Sequence, residues 1–150
     1  MANTKLGWTI VGSLGLLLVL FLIWAFHTGQ AFNTKWKGEA STVVQRFHQG
    51  FNSGDINPLC DTVVLCLGSD SARDSWNSRL NGVRDRAGNL NSIRSSTIRA
   101  SIEPFSVRAT CVASFTKAEV TETFEMSLRD GKLLIVSYSA AINGEQIPDR

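Results

Sequence analysis

The sequence predicts an α+β protein: one N-terminal transmembrane helix, then a domain of three helices on a curved antiparallel sheet of about four strands. Three observations carry this. Residues 6–26, LGWTIVGSLGLLLVLFLIWAF, contain no charge. Apolar residues then recur at the 3.6-residue period of helices until about Leu90. From Ser95 the period becomes two, the repeat of strands. Helices followed by a run of strands place helices on one face of an antiparallel sheet.

A helix needs about 20 apolar residues to cross the hydrocarbon core of a bilayer. Thr9 and Ser13 are the only hydroxyl side chains in the run, and Trp8 and Trp24 stand near its ends, where indoles favour the headgroup level. A small domain has no room to enclose a helix that is apolar all round. A cleaved signal peptide is the rival reading: Lys5 gives a positive start and Gly29-Gln30-Ala31 a small-residue cleavage site. Its apolar core should span only about 7–15 residues. The expectation is therefore a retained single-pass anchor at residues 1–28 in the inner (plasma) membrane, a polar linker at 29–37, a domain at 38–143 and a polar tail at 144–150. Lys35, Lys37 and Arg46 behind the run slightly favour a cytoplasmic domain. A very short head usually stays inside, which favours an extracytoplasmic one, and that is the orientation expected. Thr9, Gly12, Ser13 and Gly15 gather on one helix face, where small residues let a second membrane helix approach.

In the domain, Ala40, Val43, Val44, Phe47 and Phe51 predict a helix over residues 38–51, ended near Gly54, with His48 on its polar side. Pro58 suits the first turn of a second helix carrying Leu59, Val63, Cys66 and Leu67, closed by Gly68. Ser71 and Asp74 have capping-box spacing and open a third helix, whose inward face is Trp76, Leu80, Val83 and Ala87, with Gly88 at its end. Ile98, Ala100 and Ile102 alternate in the first strand. Val107, Ala109, Cys111, Ala113 and Phe115 alternate in the second, and Val120, Phe124, Met126 and Leu128 in the third. Asp130-Gly131 signals a tight hairpin. The last strand is apolar on both faces at its start (Leu133, Leu134, Ile135, Val136), as a strand covered on both sides would be.

This order resembles the nuclear-transport-factor-2-like superfamily, a cone of helices on a bent sheet. The resemblance rests on Phe51-Asn52-Ser53-Gly54-Asp55, on Trp76 leading into Arg84-Asp85-Arg86-Ala87-Gly88-Asn89-Leu90, and on the segment from Thr123 to Asp130-Gly131 followed by Lys132-Leu133-Leu134-Ile135. The second of these looks like uncharacterised bacterial members. Leu133 departs from the pattern, which usually has an aromatic just after the hairpin glycine. The resemblance implies the cone fold. It also implies, by analogy, a place in a cell-envelope assembly, since several members hang from a single membrane helix.

A net charge of +2 is too small to argue for nucleic acid. Three cysteines leave one unpaired. Cys60 and Cys66 are nearest in sequence, and they pair only if the helix ends between them. No phosphate-cradling glycine loop, nucleophile elbow or metal-ligand spacing occurs, so no catalytic residue, cofactor or metal is expected. Phe47, Phe51 and Trp76 with the sheet are expected to line a pocket. Glu122, in the apolar register between Val120 and Phe124, and Tyr138, on a face with Leu134, Val136 and Ala140, are the polar groups expected to line it with them. Glu122 is expected to reach water. Arg79, Arg84, Arg86, Arg94 and Arg99 are read as a solvated face balanced by Asp74 and Asp85. Leu133 and Ile135 are expected to form a partner surface. The functional expectation is a non-catalytic membrane protein that acts as an interaction or accessory subunit, with the bilayer and other membrane proteins or a second copy as partners. The alternatives are a membrane-anchored small-ligand binding module and, behind it, an isomerase- or hydrolase-type enzyme using Glu122 and Tyr138.

Overall fold

The computed structural model describes the backbone of residues 4–101 and 105–148, and the side chains of residues 19–21, 23, 30, 32–101 and 105–148. The chain divides into two units, Met1–Lys35 and Trp36–Arg150. Helix α1 runs Thr4–Ser53, so residues 29–37, expected as a linker, are helical. In the first unit Val19, Leu20, Phe21 and Ile23 are at least half exposed. Among the described residues no helix is long and apolar enough to cross a membrane, and most side chains of residues 6–26 lie outside them.

The second unit is an α+β domain. The rest of α1, a short 3-10 helix η1 (Asn57–Leu59) and α2 (Asp70–Ala87) accompany an antiparallel sheet of β1 (Leu90–Ser101), β2 (Ser106–Phe115), β3 (Glu119–Arg129), β4 (Lys132–Ile142) and β5 (Glu145–Gln146), ordered as in the sequence. The apolar stripes of both helices are buried as their spacing predicts: Ala40, Val43, Val44, Phe47 and Phe51 from α1, and Trp76, Leu80, Val83 and Ala87 from α2. Their counterparts are the alternate residues Val107, Ala109, Cys111, Ala113 and Phe115 of β2 and Val120, Phe124 and Met126 of β3. Gly50 is required where η1 crosses α1, because a Cβ there would overlap the Leu59 side chain.

The segment after Pro58 does not become the expected second helix. Asp61 adopts φ 58°, in the left-handed region, which breaks the helix between the two cysteines. The Cα atoms of Cys60 and Cys66 come within 5.3 Å and the disulfide forms. Asp61 then holds the loop: Oδ1 accepts from the amides of Cys66 (3.0 Å) and Leu67 (2.9 Å), and Oδ2 from Gly68 (3.2 Å). The N-cap of α2 is Ser69, whose Oγ accepts from Ala72 N, two residues ahead of the expected cap. Gly88 ends that helix at φ 83°.

β1 begins five residues before the legible alternation. Register shifts at Asn91 and Arg94 insert one residue each, and such bulges scramble the period-two pattern. β4 carries a third shift, where Ile135 pairs with Met126 and Ser137 with Glu125. Val136 is the extra residue and is 40% exposed. The bulge flips every later side chain. Tyr138 and Ala140 therefore share the inner face with Leu133 and Ile135, not with Leu134 and Val136 as simple alternation predicts.

The start of β4 is apolar for a local reason. The disulfide loop runs along its outer edge, with Ile135 N donating to Val63 O (2.8 Å) and Leu65 N donating to Ile135 O (2.9 Å). Leu133 and Ile135 are 2% and 0% exposed within this one chain, so they are no partner surface. Further along the same edge Arg79 donates to Tyr138 O and Ile147 N to Ala140 O. A strand edge covered this way offers no template for another chain. The expected tail contributes β5, reached by a turn at Asn143 and Gly144, both at positive φ, and Ile147 is buried.

Candidate functional site

Three polar side chains meet in the middle of the domain. Glu122 lies on the inner face of β3, opposite Ala140 and two pairs away from the Phe124–Tyr138 couple. Tyr138 Oη donates to Glu122 Oε1 at 2.8 Å, and His48 Nε2 lies 2.8 Å from Glu122 Oε2. Glu122 is 0% exposed, Tyr138 2% and His48 4%. The expectations that Glu122 reaches water and that His48 lies on a polar helix face are therefore both corrected. His48 follows Phe47 on α1, and one position of rotation still points inward because the helix is covered on a wide arc. Glu122 sits mid-strand, with Cys111 directly opposite on β2.

Burial and the neighbouring Glu122 raise the Tyr138 phenol well above the ordinary tyrosine range. Burial, with Glu122 adding to it, pushes the Cys111 thiol up to about 11. His48 Nδ1 is buried without a hydrogen-bond partner.

The arrangement can hold and pass a proton along Tyr138–Glu122–His48, yet all three groups are sealed from solvent. The space expected as a pocket is filled by rings. Phe47 lies 5.0 Å from Tyr138, 5.2 Å from Phe124 and 6.4 Å from Trp76, while Phe51 packs on Phe115 at 5.6 Å. So Phe47, Trp76, Glu122 and Tyr138 do come together, as a core; Phe51 lies one turn along α1.

Cavities open elsewhere. One of about 320 Å³ lies beside Arg79, Ser137 and Gln146, and one of about 370 Å³ on the outer face of the sheet by Arg99 and Arg108. A third, of about 250 Å³, lies between Ser41, Gln45, Ile93 and Cys111. Of the residues expected to line a pocket, Tyr138 lines the first of these cavities, and none of the three is lined by Phe47, Phe51, Trp76 or Glu122.

Two of the arginines read as a solvated face serve the fold. Arg84 donates to Phe51 O, capping the end of the helical stripe, and stacks over the Phe51 ring, while Arg79 donates to Tyr138 O. Thr9, Gly12, Ser13 and Gly15, the small-residue face, have side chains outside the described residues. Among the described residues no three His, Cys, Asp or Glu side chains gather as a metal site. His48 is the member of the trio that sequence reasoning missed. Its signal is the spacing of four from Val44, which puts it beside the apolar stripe.

No protein-family model, curated protein or solved structure matches the chain.

Proposed function

We propose that this chain is a non-catalytic, single-pass membrane protein whose domain serves as an interaction or accessory subunit of a membrane complex. The observation that carries the reading is the closure of the domain's polar interior. Its chemically capable groups, His48, Glu122 and Tyr138, are spent on each other and buried, which leaves the surface as the working part. The uncharged run at residues 6–26 supports the anchor, and the exposed Val19, Leu20, Phe21 and Ile23 are the side chains a lipid-facing helix presents. The Cys60–Cys66 disulfide supports an extracytoplasmic domain, since such bonds persist in oxidising compartments. Helices on one face of a meandering antiparallel sheet are in keeping with the nuclear-transport-factor-2-like resemblance.

The test is extraction of the full chain from its native membrane in a mild detergent, followed by native mass spectrometry. A defined stoichiometric set of membrane proteins is the expected result. A chain released by alkaline carbonate, or one recovered as a lone monomer, would overturn the reading.

A further inference from the structure

The outer face of the sheet carries one row of charge. Arg99 on β1 stands directly opposite Arg108 on β2, Arg108 opposite Glu125 on β3, and Glu125 opposite Ser137 on β4. Like charges directly opposite on neighbouring strands destabilise a sheet. Arg108 is answered by an ion pair with Glu125, whereas Arg99 has no carboxylate partner among the described residues. The row therefore keeps one surplus positive charge that the fold does not need. Beside it opens the groove of about 370 Å³, walled by the hydroxyls of Ser101, Ser106 and Ser127 and by the bulged Val136. Ser127 Oγ is buried in that wall with no hydrogen-bond partner. A buried hydroxyl left unpaired costs free energy unless a ligand uses it.

A guanidinium fork beside hydroxyl donors is the chemistry that recognises a phosphate. Two arginines and one glutamate leave a net charge of one, which matches a phosphodiester monoanion better than a doubly charged monoester. The groove's volume exceeds what a bare oxyanion needs, and Val136 gives it an apolar flank. The uncharged run at residues 6–26 of the same chain points to the source. Ser101 and Ser106 pair at the end of the β1–β2 hairpin, and Phe105 of that connection packs edge-on against Trp36 at 4.8 Å.

We propose that this groove takes the phosphodiester headgroup of a membrane phospholipid, held by Arg99 and Ser127 with Arg108 and Glu125 setting the charge. The proposal rests on the membrane reading above, but its test does not need the anchor to be embedded.

Full-length chain in a non-ionic detergent is titrated with dihexanoyl-phosphatidylglycerol as monomer, and separately with inorganic phosphate, by calorimetry and thermal unfolding. The lipid is expected to bind and raise Tm, with phosphate at least tenfold weaker. Arg99→Gln is expected to weaken lipid binding at least tenfold and Ser127→Ala several-fold. Arg99→Gln should at the same time preserve or raise the Tm of the unliganded chain, because it removes the like-charge couple. That split separates a binding residue from a merely structural one. Equal affinity for phosphate alone would move the site to free phosphate and overturn the lipid assignment. Lipid binding unchanged by Arg99→Gln, or no lipid binding at all, would overturn the groove itself. Neither failure bears on partner capture from native membranes, which tests the accessory role separately.

Discussion

Tyr138 and Glu122 are diagonal neighbours on β4 and β3, and the phenol donates a 2.8 Å hydrogen bond to the carboxylate in a core from which water is excluded. The bond exists because Val136 bulges: without the extra residue Tyr138 would face outward. A polar pair in this position commits the sheet to one register, since a slip of one residue would strand both groups.

Tyr138 is the only tyrosine in the chain, so phenolate absorbance near 295 nm reports on it alone. Its folded-state value is raised above that of the unfolded chain, first by burial and then by Glu122. A raised phenol favours the protonated form. The stability it contributes is full below about pH 10, the unfolded value, and is lost as the pH rises above that. In an alkaline titration the absorbance should stay flat through pH 10 and rise only together with the loss of near-ultraviolet circular dichroism. In guanidinium it should titrate near pH 10. A phenol that titrates near 10 in the folded chain would contradict the buried bond.

Glu122→Ala removes the partner of two buried groups at once and should cost about 3–5 kcal/mol in urea unfolding. Replacing all three, with His48→Leu, Glu122→Met and Tyr138→Phe, should bring the chain back to within about 1 kcal/mol of the parent or above it, as apolar substitutes for buried ionic groups often do. A triple variant as unstable as the single one would mean that the trio does more than fill and satisfy the core.

Cys111 should be silent. Buried and pushed up to about 11, its thiol is almost wholly protonated at pH 8, and the thiolate is the reactive form. Ellman's reagent should find no reactive thiol in the folded chain, one in denaturant and three after reduction, because Cys60 and Cys66 are joined. A second thiol in the unreduced, denatured chain would mean that the loop disulfide is incomplete.

Much of this domain is written in periodicity. The stripes Val43–Val44–Phe47–Phe51 and Trp76–Leu80–Val83 name the buried faces of α1 and α2, and Asp130-Gly131 marks the hairpin, both residues at positive φ. Asn143-Gly144, read only as the start of a polar tail, forms a similar turn at positive φ and leads into β5. What periodicity conceals is the inserted residue. The shifts at Asn91 and Arg94 hide the first half of β1, and Val136 reverses the apparent facing of Tyr138. The same limit hides the site, because a glutamate in an apolar register reads as an error until a histidine from another element, 74 residues away in sequence, satisfies it. The loop after Pro58 fails for another reason: its apolar residues have helical spacing, but Asp61 takes the left-handed region and collects the amides of the next turn onto its carboxylate.

Asp61 makes the last prediction. The Cys66 amide above all holds its carboxyl below the usual range; partial desolvation opposes this, and the Leu67 and Gly68 amides and the charge of Arg73 add to it. A depressed folded-state value means that the carboxylate's contribution is present above about pH 3.9, its unfolded value, and is lost as the pH falls through the folded one. Hydrogen exchange of the Cys66, Leu67 and Gly68 amides should accelerate, relative to the rest of the domain, once the pH drops below about 4. Asp61→Asn should show the loosened loop already at neutral pH and no further relative change on acidification. Its Cys60–Cys66 disulfide should be reduced faster by dithiothreitol than in the parent, since those amides no longer bind a charged acceptor that fixes the loop. The indole of Trp76, which donates to Leu65 O at 3.4 Å, gives an independent fluorescence readout of the same loosening. Identical exchange and reduction rates in the two proteins would show that the loop is held by the disulfide and by the Val63–Ile135 pairing alone.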